Sequence, residues 1–120
     1  MTAPDSQHPY SPAFRSGNHV FVSGALSVDR DFQPVEGRHE ALAAAFERMT
    51  ERLATVGATP DDVVKLTYFV TDITLRGEAN EQFLEVFSEP RPARTFVGVS
   101  DLPYGSTVEI DAIAVMDAGS

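Results

Sequence analysis

The chain predicts a single α+β domain whose elements run β-β-α-β-α-β-β, and three patterns carry that prediction. Residues 39–56 place Leu42, Phe46, Met49, Leu53 and Val56 at steps of four and three, the one apolar stripe of a surface helix. Residues 19–25, 63–70, 93–99 and 107–115 alternate or cluster β-branched and aromatic side chains, as half-buried strands do. One other stretch, residues 72–87, reads as a helix, with Ala79, Phe83, Val86 and Phe87 as its expected buried face.

Taken in order, residues 1–9 are small and polar and form a loose tail ahead of a domain spanning residues 10–120. Pro12 lacks the N–H that a central strand needs, so residues 10–15 lie at a sheet edge or run irregularly. Ser16, Gly17 and Asn18 form a turn into the strand that starts at His19. Residues 29–37 are loop, and the long helix follows, supported by Ala41, Ala43, Ala44 and Ala45. Gly57 stops it in a left-handed conformation. Thr59, Pro60, Asp61 and Asp62 then read as a capped single turn. Gly77 weakens the start of the second helix, and Pro90 and Pro92 end it.

The 120 residues make one domain, large enough to bury roughly two thirds of the unfolded chain's surface. A net charge of −9 repels phosphate backbones and sets nucleic-acid binding at a disadvantage. The absence of cysteine excludes disulfides and thiolate metal sites. No apolar run approaches a membrane span and no signal peptide opens the chain, so a cytoplasmic location is expected. His8, His19 and His39 lack metal-ligand spacing and read as solvent-facing. Each helix has one apolar stripe, so both cover one face of the sheet. The other face would carry Phe21, Phe69, Phe96 and Ile113, more apolar surface than a monomer exposes, and oligomerisation follows.

The charged residues of the last two strands bear the functional argument. Arg94 shares strand parity with Phe96 and Gly98, and Glu109 with Thr107 and Asp111. If these faces coincide, a fixed cation and a fixed carboxylate meet there, sheltered between subunits. A guanidinium fork grips a carboxylate in two parallel bonds, and a nearby glutamate orients a water and moves protons. Asp111 is expected to be structural.

Specific words in the chain then resemble a known family. Tyr10-Ser-Pro-Ala13, Ser16-Gly-Asn-His-Val-Phe-Val-Ser-Gly24, Pro92-Ala-Arg-Thr95, Leu102-Pro-x-Gly105 and Val108-Glu-Ile-Asp-Ala-Ile-Ala114 resemble the RidA/YjgF reactive-intermediate deaminases, nearly throughout the chain beyond the tail. The resemblance implies a homotrimer of chorismate-mutase-like subunits, each a single mixed sheet with two helices on one face, and sites at subunit boundaries. It implies hydrolysis of 2-enamine or 2-imine acids of the 2-aminoacrylate type to 2-keto acids and ammonia, without metal or cofactor. Arg94 would anchor the substrate carboxylate, and Glu109 would serve water and protons. Ser23 and the Gly24 amide would donate to substrate oxygens, with Tyr10 and Asn80 at the family's aromatic-loop and second-helix positions. Phe96 departs from the small residue usual there and should narrow the pocket, or simply pack into the interface. Two alternatives stand beside this: a related enzyme for larger enamines or enolic acids, and a non-catalytic keto-acid binder or holdase. A nuclease role, attached to some relatives, is the weakest on charge.

Overall fold

A computed structural model describes residues 8–117; the expected tail lies, up to residue 7, outside the described residues. Five strands form one mixed sheet in the order β1-β2-β5-β3-β4. They are β1 (Ala13–Ser16), β2 (His19–Leu26), β3 (Val63–Val70), β4 (Ala93–Gly98) and β5 (Val108–Val115), with α1 (Arg38–Ala54) between β2 and β3 and α2 (Arg76–Val86) between β3 and β4. All neighbours are antiparallel except β3 and β4, the parallel pair that α2 connects. The expected order and the edge position of β1 are both observed.

Both helices lie on one face. From α1, Leu42, Met49 and Leu53 are buried, and Phe46 and Val56 pack against the core from its margin. Beneath them lie Val20, Val22 and Ala25 of β2 and Ile110, Ala112 and Ala114 of β5. From α2, Ala79 and Phe83 are buried, with Phe87 just beyond. Val86, expected beside them, is 40% exposed: it is the last residue of α2, which starts at Arg76 after a separate turn at Ile73–Leu75 and buries only Ala79 and Phe83. A polar chain ties β3, α2 and α1 together. The Tyr68 hydroxyl donates to Gln82 Oε1 at 2.9 Å, and Gln82 Nε2 donates to the Leu42 carbonyl at 2.9 Å.

Two loops at the β2-exit and β5-entry end are unusual. Phe32 and Tyr104 both adopt φ 61. Phe32 lies within a turn in which Asp29 Oδ1 accepts the N–H groups of Asp31 and Gln33 at 2.8 and 3.0 Å. Tyr104 and Gly105 are the central residues of a turn closed by Ser106 N–H donating to the Pro103 carbonyl. Left-handed backbone costs a side-chain-bearing residue about 1–2 kcal/mol, so neither aromatic is there for the turn's sake.

Candidate active site

Register decides where the predicted residues go. Leu66 of β3 lies opposite Arg94 on one side and Ala112 on the other, and Tyr68 lies opposite Phe96 and Ile110. Directly paired residues share a face, so Arg94 and Phe96 stand on the helix-covered side with Leu66 and Tyr68. Glu109 pairs with Phe69 and Leu26, and Asp111 with Thr67, on the uncovered side. The expected meeting of Arg94 and Glu109 on one face is therefore wrong within a chain. They stand two strands and three residues apart, about 14 Å by sheet spacing, and point opposite ways. Phe96 is likewise moved off the uncovered face. Alternation had correctly sorted each strand into two faces, but it carries no information on which face its neighbours share.

Arg94 is braced from three sides. Its Nη2 donates to Asn80 Oδ1 on α2 at 2.7 Å. Its guanidinium carbon lies 5.5 Å from the Tyr68 ring centroid and 5.3 Å from those of Phe83 and Phe96. Burial lowers its pKa, with nearby Arg76 adding to the effect and Tyr68 opposing it. Nη1 is buried and has no hydrogen-bond partner. A buried guanidinium donor left unmatched is costly, and β4, which carries it, is an edge strand of the sheet.

The second group gathers at an irregularity in β2. Pairing with β5 shifts between Val22 and Ala25, which brings Ser23 and Gly24 together at the kink. Gly24 leaves room for Glu109: a Cβ there would lie 2.7 Å from Glu109 Cδ. Ser23 Oγ donates to the Ser11 carbonyl at 2.7 Å, and Ser23 N–H donates to the Pro12 carbonyl, fixing the segment that follows Tyr10. Burial raises the Glu109 pKa and Asp111 raises it further, while Arg52 opposes both. Arg52, a buried residue of α1, lies 6.0 Å from the Tyr10 ring centroid. Asp111 is also raised by burial, against a Thr67 hydrogen bond and Lys65.

The predicted residues thus form two clusters, Arg94–Asn80–Phe96 and Ser23–Gly24–Glu109 with Tyr10 beside it. Sequence reasoning missed Tyr68 and Phe83 beneath the guanidinium and Arg52 near the carboxylate; a buried arginine on the core side of α1 was the one available signal. His8, expected to face solvent, is half-buried and stacks on Tyr10. A cleft of about 370 Å³ between residues 34–38, Asp72, Leu75 and Thr107 is lined by neither cluster. Its Arg38 is occupied by Glu78 and Asp72. Among the described residues no group of three or more His, Asp or Glu side chains is placed to hold a metal ion.

One mixed sheet with helices on one side, an arginine held on the covered face and a carboxylate on the bare one, defines a small α+β class. Residues 1–116 match the sequence profile of the Endoribonuclease L-PSP family, and the chain belongs to it, among the YjgF/RidA proteins. It is 37% identical over 118 residues to the 2-iminobutanoate/2-iminopropanoate deaminase of Dermatophagoides farinae, covering 96% of this chain and 91% of that protein. It is 33% identical over 114 residues to the mitochondrial protein Mmf1 of Saccharomyces cerevisiae, covering 94% and 79%. The crystal structure of RidA from an Antarctic Psychrobacter superposes with a TM-score of 0.86 at 36% identity, covering 95% and 94%.

Proposed function

We propose that the protein hydrolyses reactive 2-enamine and 2-imine acids to 2-keto acids and ammonia, at a site completed by two copies of the chain. The observation that carries this is the Arg94 guanidinium, clamped by Asn80 and aromatic rings with one buried nitrogen unmatched. A carboxylate of the substrate supplies the missing acceptor. The activity named for the 37% identical mite relative supports the same chemistry.

The geometry within one chain supports a second copy. Glu109 lies on a face where Phe14, Phe21 and Ile113 are 62%, 48% and 36% exposed, an apolar surface that favours burial. Arg94 stands at the opposite edge of the sheet. Docking the β4 edge of one chain onto the bare face of the next brings the two charges into one cavity. A cyclic homotrimer, as the resemblance implies, closes that arrangement.

In the reaction, Arg94 holds the substrate carboxylate and leaves the adjacent imine carbon facing Glu109. That carbon is already electrophilic, so a water attacks it while Glu109 accepts the water's proton. Glu109 passes that proton to nitrogen to give the neutral carbinolamine, then takes the hydroxyl proton and delivers it to the same nitrogen as the C–N bond breaks, so ammonia leaves, the keto acid remains and the carboxylate is regenerated. On this reading the Gly24 N–H serves the substrate's oxygen, and Ser23, whose hydroxyl donates to the Ser11 carbonyl, holds that segment beside it. The net charge of −9 weighs against the nuclease sense of the family's descriptive name.

The test supplies 2-aminoacrylate from a serine dehydratase and follows keto-acid release above the spontaneous rate. Acceleration that falls at least about 100-fold in Arg94→Ala and in Glu109→Ala supports the reading. Keto-acid binding that depends on Arg94 without acceleration points to a non-catalytic binder, and indifference to both substitutions to a holdase.

A further inference from the structure

The two clusters leave unexplained a run of aromatic rings at the end of the sheet where Glu109 lies. Phe32, on the loop leaving β2, and Tyr104, on the loop entering β5, have ring centroids 4.8 Å apart. His8 meets Phe32 edge-on at 6.0 Å and stacks on Tyr10 at 5.0 Å, so four rings make one surface. It is open, with Tyr10 48% and Tyr104 49% exposed. It is also backed by cations: Arg48 lies 5.7 Å from the Phe32 centroid and Arg52 6.0 Å from that of Tyr10.

Turn geometry does not account for these rings. The left-handed positions of Phe32 and Tyr104 are ones that glycine or asparagine fills without strain, and bulky residues there are outliers of the kind that collects at ligand sites. Neither ring belongs to the buried core. The surface lies at the same end of the sheet as the carboxylate cluster. Tyr10 precedes Ser11, whose carbonyl holds the Ser23 hydroxyl, and Arg52, near the Tyr10 ring, acts electrostatically on Glu109. Leu26 ends β2 opposite Glu109, the second residue of β5, and the Phe32 loop leaves the one strand as the Tyr104 loop enters the other.

We propose that Phe32 and Tyr104, extended by His8 and Tyr10, form the surface that receives the substrate's side chain and selects imino acids bearing a flat aromatic group over the smallest ones. The proposal rests on the deaminase reading and adds the substrate class to it. Rings prefer to meet another ring offset or edge-on, a gain that a methyl group cannot reproduce.

The experiment compares wild type with the Phe32→Gly/Tyr104→Gly double variant, in which glycine keeps both turns free of strain. Imino acids are generated in situ from alanine and phenylalanine by an L-amino-acid oxidase, and kcat/KM is measured for each. The wild type is expected to favour the phenyl-bearing imine, and the double variant to lower that ratio about tenfold. A wild-type preference for the methyl-bearing imine, or a ratio unchanged in the variant, overturns the proposal. Should the wild type accelerate neither imine, the deaminase reading falls, and calorimetric affinities for phenylpyruvate and pyruvate then decide. A phenylpyruvate preference that is lost in the double variant upholds the aromatic surface as a binding surface, and no such preference overturns it.

Discussion

Arg94 and Glu109 illustrate how a single side chain's environment prepares it for work. Burial disfavours charge on both, lowering the arginine's pKa and raising the glutamate's. Arginine remains protonated regardless, so the effect there is a cation made receptive to an anion. For Glu109 the shift brings its titration closer to neutral, where a carboxylate is a better proton acceptor. A base must be ionised, so kcat/KM is expected to fall as pH drops through the Glu109 pKa, with the acid limb centred above the ordinary carboxyl value of 4.5. Glu109→Gln should lose the limb along with most of the rate. A limb centred at or below 4.5 would show that the carboxyl's burial plays no part in turnover.

At the scale of elements, the kink in β2 and the glycine within it matter as much as the charged groups. A regular strand would set a Cβ against β5 where the Glu109 carboxylate now lies, and the shift between Val22 and Ala25 places Gly24 there instead. Gly24→Ala puts a methyl 2.7 Å from Glu109 Cδ. The carboxylate ends a flexible side chain and swings aside at little cost, so stability is expected to change by less than about 1 kcal/mol. On the proposed mechanism the carboxylate is then out of place, and a misplacement near 1 Å is expected to cost about 100-fold in turnover. Denaturant midpoints and initial rates on one preparation check both halves. A variant that keeps its rate would show that the carboxylate's position is immaterial.

The whole molecule adds what neither residue nor element contains. A sheet covered by helices on one side leaves Phe14 and Phe21 of β1 and β2 beside Ile113 of β5, with Lys65, Thr67 and Asp111 at its centre. If that face seats the next chain's β4 edge, Arg94→Ala and Glu109→Ala are separate lesions that mixing repairs. Refolding the two inactive variants together in equal amounts is expected to restore about one quarter of wild-type activity, since each site then draws an intact arginine and an intact glutamate with even chance in any closed ring. Phe21→Asp should abolish the restored activity and sediment as a single chain. A mixture as inactive as its components, at wild-type assembly size, would refute the two-chain site.

Much of this protein follows from local pattern. The helix stripe of Leu42, Met49 and Leu53, the stop at Gly57 and the run of strand 63–70 are set by neighbours within a few positions, where side-chain period and backbone preference act directly. The local words SGNHVFVSG, PART and VEIDAIA are enough to point to the family and to name Arg94 and Glu109. What only the tertiary structure decided is how those words face one another. Strand period sorts residues into two faces, and pairing register through Leu66 and Phe69 selects which faces coincide; register depends on contacts between distant segments that no local pattern encodes. For the same reason the rings of Phe32 and Tyr104, far apart in the chain and on loops with no periodicity, became visible as one surface only when the sheet brought their loops to the same end.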